Sequence, residues 1–216
     1  MAETGSASAV RRLATAIGYV ISPFLLPPLF FWWVAAGLAW PSAAVQKAAG
    51  IALVFLSILP LILIIRMVLT GQAKTLEVRD GTKRLPAFLW AMAFGIAAVI
   101  AATQIDWPQP AVIPALLLVF PVNSMLLALI NTQTKISIHS ASIAATAAMS
   151  LWIATEAGLP TTFALAAAAA TPLVMWSRVA AGAHTRNQVL LGALFGILLP
   201  LAELYLMTAV GWLNLA

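Results

Sequence analysis

The apolar residues of this chain fall in long continuous blocks, each close to the ~20 residues that cross a bilayer as a helix. That pattern leaves few folds open. Backbone N–H and C=O groups in lipid must pair within the chain, so a spanning segment is either a helix or part of a closed barrel. Barrel strands alternate apolar and polar residues, and these blocks do not. Composition agrees: 63% of the 216 residues are hydrophobic and 8% are charged, against about a quarter charged in a soluble domain. The expectation is an all-α, polytopic transmembrane helix bundle of about six to seven spans. It forms one domain over 13–216, preceded by a small, polar tail at 1–12 that is expected to be disordered and ends on Arg11 and Arg12.

Seven spans can be drawn: Leu13–Leu38, Ala44–Thr70, Pro86–Thr103, Pro110–Ile130, Ser140–Thr155, Pro160–Trp176 and Gln188–Trp212. Pro23, Pro27 and Pro28 fall inside the first, which is therefore expected to kink or to start late. The stretch after Arg11 and Arg12 is too long for the apolar core of a cleaved signal, so it reads as a retained helix. Gly192 and Gly196 form a small-xxx-small pair in the last span, a pattern that lets helices pack closely.

Alternation of the spans puts the N-terminal tail, Gly71–Leu85, Asn131–His139 and Ser177–Asn187 on one face. That face carries Arg11, Arg12, Arg66, Lys74, Arg79, Lys83, Arg84, Lys135, Arg178 and Arg186, whereas only Lys47 lies near the other. Trp40, Trp107 and Trp212 are expected to mark the opposite interface. From positive-inside bias the basic face is expected to be cytoplasmic, and the expected membrane is a bacterial or archaeal inner membrane. The net charge of +5 fits loops, anionic head groups or a phosphate site. No run of Lys/Arg interleaved with aromatics points to nucleic acid, and nothing in the sequence speaks to oligomeric state.

Both histidines lie on the basic face, within or beside three polar segments. The first is Arg79–Pro86, the second Lys135–Ser140 and the third Ser177–Gln188. His139 and His184 each stand near the start of a span, where free N–H groups and the helix dipole favour anions. Arg and Lys beside them can hold phosphate oxygens, Arg with a bidentate fork. Two histidines can divide nucleophilic and general-acid roles. His184 and Gln188 are four residues apart, so the amide oxygen can orient the imidazole. The chain has no cysteine, and two histidines without acidic neighbours are a poor metal set. The expected phosphoryl chemistry therefore needs neither metal nor cofactor. Lys74, Arg11 and Arg12 read more simply as topology signals.

These segments resemble the type-2 phosphatidic acid phosphatase superfamily. Ser177, Arg178 and His184 match its Ser-Arg-x5-His-x3-Asp signature in identity and spacing. Ser137-Ile-His139 is similar to its Pro-Ser-Gly-His motif at Ser and His, and Arg84-Leu-Pro86 to the end of its Lys-x6-Arg-Pro motif. The resemblance covers roughly Arg79 to the C-terminus. It implies that His184 attacks phosphorus to form a phosphohistidine and that His139 protonates the leaving alcohol. It also implies that Arg178, Arg84, Lys83 or Arg79, together with Ser137, hold the phosphate oxygens. Lys135, Ser177 and Gly182 are further candidates. The substrate so implied is a lipid phosphate or an isoprenoid (pyro)phosphate.

The departures from that pattern are specific. Gln188 replaces the Asp that would orient the nucleophile, so the oxygen acceptor is kept without its charge. Glu203 lies too far along the same helix, roughly 22 Å, to substitute. Ile136 and Ile138 stand where Pro and Gly are usual, Glu77 stands where the first motif has its Lys, and two extra spans separate the first motif from the second. A membrane phosphatase is the leading expectation. A non-catalytic lipid-phosphate binder or flippase is the alternative.

Overall fold

The computed structural model describes residues 2–72 and 81–215 and, within them, the side chains of 8–72 and 85–215. Helices account for the described secondary structure: α1 (Ala2–Val20), α2 (Leu26–Gly37), α3 (Ser42–Ile51), α4 (Leu59–Leu69), α5 (Gly81–Thr103), α6 (Val112–Gln133), α7 (Ile138–Ala157), α8 (Thr162–Ala180) and α9 (Arg186–Ala209). A π-helical stretch, Ala52–Ile58, joins α3 to α4 in one continuous span, Ser42–Leu69. Among the described residues six helices are long and apolar enough to cross a membrane. The chain is an all-α, multi-pass helical membrane protein.

The expected first span, Leu13–Leu38, divides in two. α1 ends at Val20 and α2 begins at Leu26, with Pro23 in the break and Pro27 in the first turn of α2. Proline has no N–H and clashes with the preceding turn, so it is accommodated most easily in the first turn of a helix, as Pro27 is here. α2 has 12 residues, about 18 Å of helix, short of a ~30 Å hydrocarbon core. At the other end, α1 starts at Ala2, inside the stretch expected to be a disordered tail. It packs on α8 with Ala14 fully buried and Gly18 against the Arg178 side chain.

Proline also shapes the second span. Pro60 cannot donate to the carbonyl four residues back, and the helix ahead of it winds wider, with the Leu59 N–H donating to Val54 O. Such π segments occur at functional sites more often than by chance, and here Pro60 borders the cavity described below.

α7 is the pivot of the bundle, packed closely against both α8 and α9, while α5 pairs with α6. The Gly192/Gly196 pair explains the α7–α9 approach. A Cβ on Gly192 would lie 2.5 Å from Ser137 O, and one on Gly196 would collide with the Ala141 backbone. The main core gathers at the opposite end, around Phe31, Val34, Ile113, Leu116, Leu117, Ile153 and Leu204. Trp40 and Trp107, expected at the lipid interface, belong to that core. They are 8% and 5% exposed, their rings stack at 6.0 Å, and the Trp107 indole N–H donates to Ala102 O at 2.8 Å. Trp212 is 41% exposed.

Candidate functional site

Two helix starts and one helix end form the site. α8 ends at Ala180, and Gly182 adopts φ +68°, the left-handed conformation that closes a Schellman turn. In that turn the Gly182 N–H donates to Val179 O, and the Ala183 and His184 N–H groups donate to Arg178 O. The turn therefore fixes the His184 backbone directly against Arg178. α9 begins immediately afterwards with Thr185 as N-cap.

α7 begins in the same place from another direction. Ser137 is its N-cap, with Oγ accepting from the Ser140 N–H at 3.3 Å and from the Ser140 hydroxyl at 3.1 Å. The Ser137 N–H donates to Gln188 O at 3.0 Å, which ties the start of α7 to the first turn of α9. Lys135 adds a longer contact, its Nζ donating to Ala183 O at 3.5 Å. The second and third polar segments are thus one assembly, as the even number of spans between them requires.

The His184 imidazole is held in a defined tautomer. Its Nδ1 lies 3.1 Å from Gln188 Oε1. The Thr185 backbone N–H donates to that same Oε1 at 3.2 Å, and the Gln188 N–H donates to Thr185 Oγ1 at 3.4 Å, completing a capping box. Because a backbone N–H must meet an acceptor, the Gln188 atom facing the ring is oxygen. Nδ1 therefore carries a ring proton, which in the neutral imidazole leaves the lone pair on Nε2.

His139, Arg178 and His184 border a single cavity of about 320 Å³. Arg178 is 1% exposed, its long side chain enclosed by the bundle. Most of the remaining wall is apolar, contributed by the break before α2 and by α2, α4, α5, α6, α7 and α9, and including Phe24, Phe30, Ile64, Phe88 and Leu127. The arrangement is a cationic, imidazole-bearing mouth on a hydrophobic interior.

Other expected site residues fall elsewhere. Ser137 is fully buried and caps α7, so its oxygen serves the helix start rather than the cavity wall. Ser177 is also fully buried, and its hydroxyl donates to Val174 O at 2.7 Å, back along its own helix. Gly182 contributes backbone geometry, with open space where a side chain would be. Lys135 does not border the cavity. Arg79 lies outside the described residues, as do the side chains of Lys83 and Arg84. α5, which carries the last two in its first turn, does border the cavity through Ala87, Phe88 and Ala91.

Two features went unread in the sequence. Thr185-x-x-Gln188 is a legible capping-box signature, but Gln188 also lies four residues from His184, and that spacing by itself points to the imidazole. Asn123 gave no sequence signal; it meets the cavity only through the packing of α6. No family model, curated protein or solved structure matches the chain.

Proposed function

We propose that this protein is an integral membrane phosphatase that hydrolyses a phosphomonoester or pyrophosphate of a phospholipid or isoprenoid through a phosphohistidine. The observation that carries this reading is the shared cavity wall: two histidines and a buried arginine at one end, and apolar side chains over most of the rest. An amphiphile with a phosphate head and a hydrocarbon tail has that same division of chemistry.

The chemistry follows from the groups present. The His184 Nε2 lone pair attacks phosphorus while the bond to the leaving oxygen breaks, and His139 gives that oxygen its proton. Nδ1–H stays bonded to Gln188 as positive charge develops on the ring. Water then attacks the phosphohistidine, giving its proton to His139; the P–N bond breaks and inorganic phosphate leaves. Arg178, with Arg79, Lys83 and Arg84 by resemblance, would neutralise the equatorial oxygens. Such transfer depends mainly on positioning and charge stabilisation.

The test is phosphate release by the purified protein in mixed micelles. The panel comprises phosphatidic acid, phosphatidylglycerol phosphate, and isoprenyl mono- and diphosphates, with His184→Ala as control. Release on at least one substrate, at least about a thousandfold above that control, is expected. If no substrate exceeds the control, the enzyme reading fails. If tight phosphate-lipid binding persists without turnover, the chain is a binder or flippase.

A further inference from the structure

The cavity has a second polar feature, on α6, that the phosphatase reading does not use. Asn123 lies in the middle of α6, ten residues before its last, Gln133, which is about 15 Å along the helix. Its amide Nδ2 donates to Val119 O at 2.8 Å and to Glu203 Oε1 at 3.0 Å. Both partners are acceptors, which fixes the nitrogen on that side and commits both of its hydrogens. Oδ1 is left on the other side, and among the described residues no protein donor reaches it. Asn123 borders the cavity.

Glu203 is what makes this a built feature. It is a carboxyl within a spanning helix, an expensive placement in lipid. Among the described residues its only hydrogen bond comes from Asn123, and its second oxygen is buried without a partner. The pair therefore acts on the cavity through one atom, the Asn123 carbonyl oxygen. Leaving an amide acceptor facing hydrocarbon is costly. A ligand that brings a donor to that depth recovers the hydrogen bond.

We infer that Asn123, held by Glu203, is a recognition site for a hydrogen-bond donor on the lipid tail, so that the preferred ligand is a lipid phosphate bearing a hydroxyl or amide N–H below its head group. This deepens, and rests on, the phosphatase reading. An all-hydrocarbon prenyl chain has no such donor, and the ester groups of a diacylglycerol phosphate only accept. The site therefore separates hydroxylated or N-acylated amphiphiles from both.

The test is a hydroxyl walk. Long-chain alkyl phosphonates, which resist hydrolysis, are made plain or with one hydroxyl at successive carbons. Their binding to the whole protein in nanodiscs is measured by thermal stabilisation. An N-acyl chain and its O-acyl ester, differing only in the N–H, form a second matched pair. The wild type should bind one hydroxyl position, and the amide over the ester, roughly three- to tenfold more tightly than the plain chain. Asn123→Leu should lose that preference and bind the plain chain at least as well as wild type does. Glu203→Gln still offers an oxygen to Asn123 and should keep it, whereas Glu203→Leu should weaken it. Equal binding of all chains by wild type overturns the inference and leaves the phosphatase reading standing. If no phosphonate binds at all, the phosphate-lipid reading fails with it.

Discussion

The two histidine-bearing helix starts face the same cavity but are built differently. At α7 the cap is a pair of buried serines, Ser137 and Ser140, bonded to each other. At α9 the cap and the histidine share one side chain, because Gln188 Oε1 takes the Thr185 N–H of the capping box and the His184 Nδ1–H together. On the proposed mechanism, the general acid His139 thus stands beside a cap built by serines. On the same mechanism, a change at Gln188 that shortens its reach disturbs the nucleophile and the helix start together, whereas one that keeps the reach retunes the nucleophile alone. A helix N-terminus is a ready site for an anion, and each of the two starts brings a histidine to the wall of the one cavity.

The first way to break the comparison is chemical. His139→Ala should lower turnover of an alkyl phosphate by roughly 10²–10⁴-fold, the usual value of general acid–base assistance. An activated aryl phosphate, whose leaving group needs no proton, should recover most of the loss in the first step and reveal a phosphohistidine by rapid quench. His184→Ala should show neither recovery nor intermediate. Identical behaviour of the two variants would remove the distinction between their roles.

Separating the two starts is the next largest perturbation. Gly196→Leu drives a side chain into the Ala141 backbone, and overpacking of this kind costs about 1–3 kcal/mol. The expected result is a lower midpoint in thermal unfolding, together with turnover lost beyond the fraction unfolded, because α7 and α9 move apart. Gly50→Ala, in α3 with nothing within 4 Å of the added carbon, should be neutral or mildly stabilising.

Legibility in the sequence followed the physics of each feature. The spans were readable because lipid admits one solution for a long apolar block. Their bounds fall close to those of α5–α9, with parity correctly joining the Lys135 and Ser177 segments. The Gly192/Gly196 spacing was readable as close packing, and the contact with Ser137 and Ala141 bears it out. The partners that short polar side chains take within the fold were not legible. Ser137 Oγ accepts from Ser140 and the Ser177 hydroxyl donates to Val174 O, the local capping and back-bonding that such side chains favour. Trp40 and Trp107 were assigned to lipid by residue type, but a tryptophan at a helix end can equally pack inward when its N–H finds a carbonyl, as that of Trp107 does. Asn123 was invisible because its meaning depends on Glu203, 80 residues away.

The capping box changes how the missing charge at Gln188 should be restored. An Asp there supplies the carboxylate but is one methylene short of the reach that a Thr-x-x-Glu/Gln box uses. Glu keeps the reach and adds the charge. Gln188→Glu should raise turnover, on the order of tenfold, since a carboxylate on Nδ1–H stabilises the imidazolium that forms on phosphoryl transfer, while leaving the unfolding midpoint nearly unchanged. Gln188→Asp should gain less and lose stability. Equal stability of the two would show that the box contributes little, and no gain in turnover from Glu would show that charge is not what this position lacks.

The smallest effect belongs to the other helix start, and it sharpens the contrast most directly. Ser137→Ala removes the α7 cap and should cost about 1 kcal/mol, the ordinary value of an N-cap hydroxyl. The Ser137 N–H to Gln188 O bond is backbone and survives the substitution, so the two starts stay tied. Turnover per folded molecule should therefore stay within about twofold of wild type, with KM unchanged. If Ser137 instead donates its hydroxyl to a phosphate oxygen, as the family resemblance implies, KM for substrate rises and inorganic phosphate inhibits less, out of proportion to the stability lost. Comparing KM with the unfolding midpoint in this one variant distinguishes a serine that builds the site from one that touches its ligand.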